Sequence, residues 1–318
     1  FYVLEDNLRV PSGVAYMLEN RNVMKKVVTE LFNKYQVSPV DDYTAQLYKC
    51  LSDASYSTEK DKTIVILSPG VFNSAYFEHA YLAQQMGIHL VESSDLILSK
   101  DHYVYMKTIS GRKKVDVIYR RINDNYLDPE VWVKDSVLGL PGLINSWKEK
   151  KIAIVNAPGS GVADDKAVYA FVPKMIEFFL NEKPKLSQVK TYLCAFKKDK
   201  KYVLDNIERL VLKPVNESGG YGILIGPTAS KKELNDYKLK IINNPRNFVA
   251  QPLIRLSTSP TIIKSSIQPR HIDLRPFILS SKKTFITNGG LTRVALKKGS
   301  TIVNSSQGGG SKDTWVVN

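Results

Sequence analysis

Between residues 63 and 91 the chain runs from an unbroken apolar strand, Thr63-Ile64-Val65-Ile66-Leu67, through a helical stretch at residues 74–86 stopped by Gly87, into a second short strand, Ile88-His89-Leu90-Val91. A strand, a crossover helix and a strand in that order demand parallel pairing, because antiparallel neighbours need only a tight turn. Further strands at residues 115–119 and 152–155, with a helix near 142–148, extend this unit into a small doubly wound layer over roughly residues 60–158. The expected class is therefore α/β, with a Rossmann-like layer in the first half of the chain.

The flanking segments have a different texture. Phe1-Tyr2-Val3-Leu4 reads as a strand, and residues 14–35 place Met24, Val27, Val28, Leu31, Phe32 and Tyr35 at the spacing of an amphipathic helix. Because Phe1 lies inside a strand with no turn or cap before it, further residues upstream are expected. After a helical stretch at residues 167–180, antiparallel signals dominate: β runs at 209–215 and 223–225 flank the glycine-rich loop Asn216-Glu217-Ser218-Gly219-Gly220-Tyr221-Gly222. Ser230 and Glu233 form a capping box before the next helix, and strands recur at 248–254, 272–279 and 291–296 before Gly308-Gly309-Gly310.

Composition excludes more than it assigns. Cys50 and Cys194 are the only cysteines, far apart and without metal-ligand spacing, so they read as buried free thiols rather than a disulfide or zinc site. No apolar run reaches the roughly 18 residues of a membrane span and no signal peptide is evident, so a cytoplasmic protein without a membrane partner is expected. The formal net charge is +14, but basic residues occur in small clusters such as Arg112-Lys113-Lys114, Lys197-Lys198 and Lys231-Lys232. That dispersion favours a solvated surface, and no nucleic acid is expected as a partner.

Five groups of residues could carry chemistry. Lys213-Pro214 enters the glycine-rich loop, where backbone N–H groups and a lysine could surround phosphate oxygens, although a hairpin needs no ligand to explain its glycines. The chain contains neither a G-x-x-x-x-G-K-[ST] loop nor a complete G-x-G-x-x-G. Gln251 and Pro252 interrupt an apolar strand, as at a hinge offering backbone groups to a purine edge, or simply at a sheet edge. Glu5 and Asn7, one residue apart on a strand, point two oxygen-bearing side chains to the same side, with Arg9 following and the Pro11-Ser12-Gly13 turn beyond; a metal strand and an exposed strand end are equally compatible. Arg120-Arg121 closes an apolar strand where doubly wound layers bind ligands, suiting a carboxylate or phosphate, or an ion pair with Asp124 or Asp128. His271, Asp273 and Arg275 share one face of a strand, while Tyr76, Glu78 and His79 read as ordinary helix residues.

Taken in order, Val3-Leu4-Glu5-Asp6-Asn7-Leu8-Arg9-Val10-Pro11-Ser12-Gly13, Tyr76-Phe77-Glu78-His79, Lys213-Pro214 with its glycines, Gly289-Gly290-Leu291-Thr292-Arg293 and Gly308-Gly309-Gly310-Ser311-Lys312-Asp313-Thr314-Trp315 resemble the circularly permuted ATP-grasp family from end to end. The nucleotide lobe is similar to that of glutathionylspermidine synthase. The resemblance implies an ATP-grasp fold with the metal strand moved ahead of the nucleotide hairpin. Expected divisions are residues 1–58 for the permuted metal strand and helix, 59–160 for the Rossmann-like pre-ATP-grasp domain, and 161–318 for the nucleotide-binding lobes.

The same resemblance implies ATP and Mg2+ as cofactors. Lys213 would meet the nucleotide phosphates, Gly219, Gly220 and Gly222 would form the phosphate lid, and Gln251, Pro252 and Leu253 would hold adenine. Glu5 and Asn7 would bind Mg2+, and Arg275, Arg293 and Lys312 would neutralise the transferred phosphoryl group as catalytic residues. Arg9, Ser12, Arg120 and Arg121 are candidates for the acyl-substrate site. The implied reaction is carboxylate–amine ligation through an acylphosphate, on small-molecule substrates such as an amino acid or peptide. The alternative is an ATP-binding regulatory or partner module without turnover, a reading that a missing upstream acidic metal ligand would favour.

Overall fold

The computed structural model describes residues 1–216, 222–295, 297–300, 303 and 309–317. It divides into two compact units, one made of Phe1–Leu8, Ser160–Ile272 and Val294–Gly309, the other of Arg9–Gly159, Asp273–Arg293 and Gly310–Asn318. Helices and strands mix as in the α/β class expected above, and each unit is assembled from segments distant in the sequence.

In the second unit the parallel layer has the strand order His89–Val91, Ile64–Leu67, Val117–Arg120, Ala153–Val155. All four residues of Ile64–Leu67 are buried, because successive side chains serve cores on opposite faces. Ile64, Ile66, Val117 and Tyr119 meet Val14, Met17 and Leu18 of the Val14–Val27 helix, Leu47 and Leu51 of the Tyr43–Asp53 helix, and Leu82 of the Tyr76–Met86 helix. Val65, Leu67, Ile118 and Ile154 meet Leu96, Val104, Met106 and Leu143 on the other side. There an antiparallel meander of Leu96–Leu98, Val104–Thr108 and Gly111–Lys114 supplies part of the cover. The Tyr76–Met86 helix ends, as its sequence indicates, on Gly87 in the left-handed conformation.

The opening helix departs from expectation. Residues 14–35 form two helices, Val14–Val27 and Thr29–Tyr35, broken at Val28, which sits at φ −130° and ψ 45°. The buried face is Val14, Ala15, Met17, Leu18 and Arg21, while Val27, Leu31 and Tyr35 from the apolar stripe are exposed. Arg21 is completely buried and donates from Nε to Asp313 Oδ2 at 2.7 Å, from Nη1 to the Ser38 carbonyl at 2.6 Å and from Nη2 to the Thr314 carbonyl at 3.0 Å. It thereby fastens the Gly310–Trp315 strand to the helix.

Glu78 is the other buried anchor of this unit. Its Oε2 accepts the Gly13 N–H at 2.7 Å and the Ala15 N–H at 3.1 Å, satisfying donors that a helix N-terminus leaves open. Its Oε1 accepts from Arg121 Nη2 at 3.1 Å, and Arg121 Nη1 donates to the Tyr119 hydroxyl at 3.0 Å. One carboxylate on the crossover helix thus holds the start of the first helix and the end of a central strand. The next residue, His79, lies 2.9 Å from Ser68 Oγ through Nδ1, and burial, reinforced by the Arg121 charge, lowers its pKa to about 3. Its ring is neutral at physiological pH.

The first unit contains an antiparallel sheet ordered Tyr192–Leu193, Phe248–Pro252, Leu210–Pro214, Leu224–Ile225. Leu210, Leu212 and Ala250 point to a core shared with Val203 of the Lys197–Asp205 helix and with Tyr237 and Ile241 of the Lys231–Asn243 helix. The capping box forms as read: Ser230 Oγ accepts the Glu233 N–H at 3.3 Å and Glu233 Oε2 accepts the Ser230 N–H at 2.8 Å. The helix expected at residues 167–180 is divided into Lys166–Tyr169 and Val172–Leu180, since Pro173 has no N–H to continue the ladder. A Thr258–Ile263/Ser266–Arg275 hairpin follows the sheet.

Truncating Glu78 to alanine would strand the buried Arg121 charge and release two helix N-terminal donors. An expected loss of about 3–5 kcal/mol in urea-unfolding free energy follows from removing one partner of a buried pair.

Candidate functional site

Antiparallel pairing puts Val211 opposite Gln251 and Lys213 opposite Val249, so Lys213 and Gln251 share a face and sit diagonally across two strands. Lys213 Nζ donates to Gln251 Oε1 at 2.7 Å, Gln251 Nε2 donates to Thr191 Oγ1 at 2.8 Å, and the Thr191 hydroxyl donates to the Val189 carbonyl at 3.0 Å. Gln251 is only 4% exposed, and its two amide partners fix which way the amide points. Burial lowers the pKa of Lys213, the nearby Glu5 carboxylate opposes that shift, and Lys166 adds to it. The result is an ammonium held at a set position, with its pKa below the usual lysine value.

The chain leaves this strand at Pro214 and returns at Gly222. Gly222 has a φ of 69°, and a Cβ there would stand 2.9 Å from the Pro214 ring, so only glycine fits. The Tyr237 hydroxyl donates to the Gly222 carbonyl at 2.7 Å and anchors the return. Gly219 and Gly220 lie outside the described residues. Pro252 ends the strand opposite Leu210, and Leu253 follows it, 36% exposed.

Glu5 and Asn7 follow the Tyr2–Val3 strand, which pairs in parallel with Ser187–Gln188. Both are exposed and lie beyond that strand rather than on it as the sequence suggested, and Asn7 Nδ2 stands 3.5 Å from Glu5 Oε1. Tyr169, almost wholly buried, fastens the strand by donating its hydroxyl to the Val3 carbonyl at 2.6 Å while accepting the Val189 N–H at 3.0 Å. The Val189 backbone therefore links the strand to the Thr191–Gln251–Lys213 chain. Asp6 turns inward, where burial, then Glu5 and Asp164, raise its pKa. Asp164 Oδ1 accepts the Leu8 N–H at 2.6 Å.

Among the described residues no group of three or more His, Cys, Asp or Glu side chains forms a metal cage. One carboxylate and one amide oxygen nevertheless fit Mg2+, which takes few protein ligands and fills its shell with phosphate and water oxygens.

The remaining expected site residues belong to the second unit. Arg9 Nε stands 3.8 Å from Asp124 Oδ2, and Ser12 is exposed in the turn before the first helix. Arg120 is fully buried, donating to the Asn156 carbonyl at 2.6 Å, the Ile122 carbonyl at 2.8 Å and Asp124 Oδ1 at 3.0 Å. With Arg121 held by Glu78 and Tyr119, both arginines lie in the interior rather than on a ligand-facing surface. The ion pair with Asp124 is the arrangement that forms. Arg293 clasps Asp273 with two nitrogens, Nε at 2.7 Å from Oδ1 and Nη2 against Oδ2. Arg275, the last residue of its strand, and Lys312, within the Gly310–Trp315 strand, are half-buried. Thr191, Tyr169, Lys166 and Asp164 were not singled out from sequence, since none sits in a glycine-rich or paired-charge pattern.

The family model described as circularly permuted ATP-grasp type 2 matches residues 1–295. An uncharacterised protein of Synechocystis sp. is 52% identical over 318 residues, covering 100% of this chain and 66% of that protein. A Frankia casuarinae protein provisionally named glutamate–cysteine ligase 2-2 is 42% identical over 315 residues, covering 99% of this chain and 36% of that one. The chain thus spans less than two thirds of the length of these curated relatives. Among solved structures, a glutathione synthetase-like effector from Globodera pallida, in its apo form, aligns over 98% of this chain and 69% of its own, with a TM-score of 0.57 at 12% identity. That likeness is one of fold.

Replacing Thr191 by valine keeps its shape but removes the acceptor of the buried Gln251 amide. The expected cost is about 1–3 kcal/mol in unfolding free energy, with Thr191→Ser close to the parent in the same denaturation measurement.

Proposed function

The chain belongs to the circularly permuted ATP-grasp type 2 family, and on that footing we propose that it is the nucleotide-binding part of an ATP-dependent carboxylate–amine ligase. The observation that carries this reading is the Lys213–Gln251–Thr191 chain with Glu5 close enough to perturb Lys213: a positioned cation and an oxygen-bearing segment in one compact unit. ATP phosphates would take the Lys213 ammonium, with the glycine-rich loop beside them, and adenine would lie against the backbone at Gln251 to Leu253. Glu5 and Asn7 would hold Mg2+, whose charge screens the phosphate oxygens from an approaching carboxylate.

In the proposed reaction a substrate carboxylate oxygen bonds to the γ-phosphorus as ADP leaves, giving an acylphosphate. An amine nitrogen then bonds to the acyl carbon, phosphate leaves with the C–O electron pair, and the amine proton passes to solvent. Arg275, Arg293 and Lys312 are assigned to neutralising charge on the transferred group, a task of positioning and electrostatics. Arg293 would bring its charge already balanced by Asp273. Arg9 and exposed Ser12 are the acyl-substrate candidates, whereas Arg120 and Arg121 support the loops behind them. The name of the Frankia relative supports an amino acid as the carboxylate donor, because a glutamate–cysteine ligase joins two amino acids.

ADP release measured with pools of amino acids, peptides and polyamines is expected to rise above the ATP-only rate. ATP binding without any stimulated release would sink the ligase reading and leave a nucleotide-binding module. Lys213 supplies a second check. Its pKa is depressed below 10.5, so it loses its charge at a pH where an ordinary lysine keeps it. ATP affinity is therefore expected to fall as pH rises through the alkaline range below 10.5, and the Lys213→Arg variant, charged throughout, should flatten that fall in calorimetric titrations.

A further inference from the structure

Arg270 is 6% exposed, in the middle of the Ser266–Arg275 strand. Its Nη1 donates to the carbonyl of its own neighbour Pro269 at 3.0 Å, and its Nη2 to Gln268 Oε1 at 3.0 Å. Gln268 in turn donates from Nε2 to Ser266 Oγ at 2.9 Å. Arg270 Nε is buried without a hydrogen-bond partner, and no carboxylate among the described residues pairs with the guanidinium.

Among the described residues this buried cation faces only neutral oxygens of its own strand, an arrangement that is costly to fold around, and arginine cannot shed its proton to escape that cost. Its planar fork, with one donor unsatisfied, matches a tetrahedral anion. We propose that Arg270 is an anion-binding residue that takes a phosphoryl group. Naming the anion as phosphoryl rests on the nucleotide reading above; the uncompensated charge itself does not.

Arg270→Met separates this role from a structural one, because an apolar side chain of similar length removes the buried charge without emptying its space. Melting temperatures are measured for parent, Arg270→Met and Arg270→Lys in chloride, in inorganic phosphate at matched ionic strength, and with ATP. Phosphate and ATP are expected to raise the parent's melting temperature. Arg270→Met should melt at or above the parent in chloride, lose the phosphate-induced rise, and bind phosphate roughly 10- to 100-fold more weakly, as for a lost charge-assisted bond. Arg270→Lys, with charge but no fork, should keep part of the rise. An Arg270→Met chain that melts well below the parent in chloride, or that keeps the full phosphate rise, overturns the proposal. Equal ATP stabilisation of parent and Arg270→Met without any phosphate effect overturns it while leaving the nucleotide reading intact. A phosphate rise lost only in Arg270→Met, with no ATP effect in the parent, supports Arg270 and removes the nucleotide reading.

Discussion

A guanidinium withdrawn from water must be met by oxygen, and that requirement organises much of this chain. Four arginines among the described residues are buried, Arg21, Arg120, Arg121 and Arg270. Three of them are answered by a carboxylate: Arg21 by Asp313 and Arg121 by Glu78, both distant in sequence, and Arg120 by Asp124, four residues on. Each pairing fixes a piece of architecture that hydrophobic contact alone would leave free to slide. Arg21 ties the late Gly310–Trp315 strand to the first helix; Glu78, through Arg121 and two backbone donors, ties that helix to the parallel layer. Buried ion pairs are poor sources of net stability, but they are strict about geometry. Here they specify which distant segments close the second unit.

The first unit uses the same principle with smaller stakes. Among the described residues Lys213 forms no ion pair with a carboxylate and is handed instead to a glutamine, whose amide is fixed by a threonine, whose hydroxyl ends on a backbone carbonyl. A carboxylate in place of Gln251 would cancel the positive charge that an incoming phosphate needs; an amide oxygen orients the ammonium and leaves its charge available. The neutral chain is therefore what a phosphate-binding lysine requires from its surroundings. Tyr169 extends the same logic to the strand that precedes Glu5 and Asn7, since one hydroxyl serves both the Val3 and Val189 backbones.

Local patterns made the parallel layer, the Ser230–Glu233 capping box and the hairpin around the glycine-rich loop legible in the sequence. The first strand–helix–strand unit of that layer, the capping box and the hairpin are each encoded within about thirty residues and written in periodicity, caps or glycines. Long-range polar pairings were not legible. Arg21 interrupts an apolar face and scores as surface, so the stripe of Val27, Leu31 and Tyr35 looked like the better core face, and it is exposed. Glu78 looked like an ordinary helix residue because its partners, Gly13, Ala15 and Arg121, lie in two other segments. Arg120 and Arg121 read as ligand-facing because nothing local shows that they are buried. The Tyr43–Asp53 helix and the meander between residues 96 and 114 escaped notice, the one being too polar in texture and the other too short in its strands. In the candidate site, Lys213 and Glu5 carried recognisable context, while Thr191 and Tyr169 act through single hydroxyls that no spacing rule marks.

The net charge of +14 takes on a more specific meaning once its distribution is known. Interior arginines are mostly compensated, and the lysine clusters at Lys197-Lys198 and Lys231-Lys232 open helices at the surface, where solvent screens them. Two interior cations differ. Lys213 faces an amide, and Arg270 faces a carbonyl and an amide of its own strand. Both belong to the unit that also carries Glu5 and Asn7. Among the described residues, buried charge is matched by a hydrogen-bonded carboxylate at Arg21, Arg120 and Arg121, and no such pair forms at Lys213 or Arg270, in the unit where an anionic ligand is proposed to bind. On the proposed reading that counter-charge arrives with the ligand, and part of this unit's stability would then depend on occupancy.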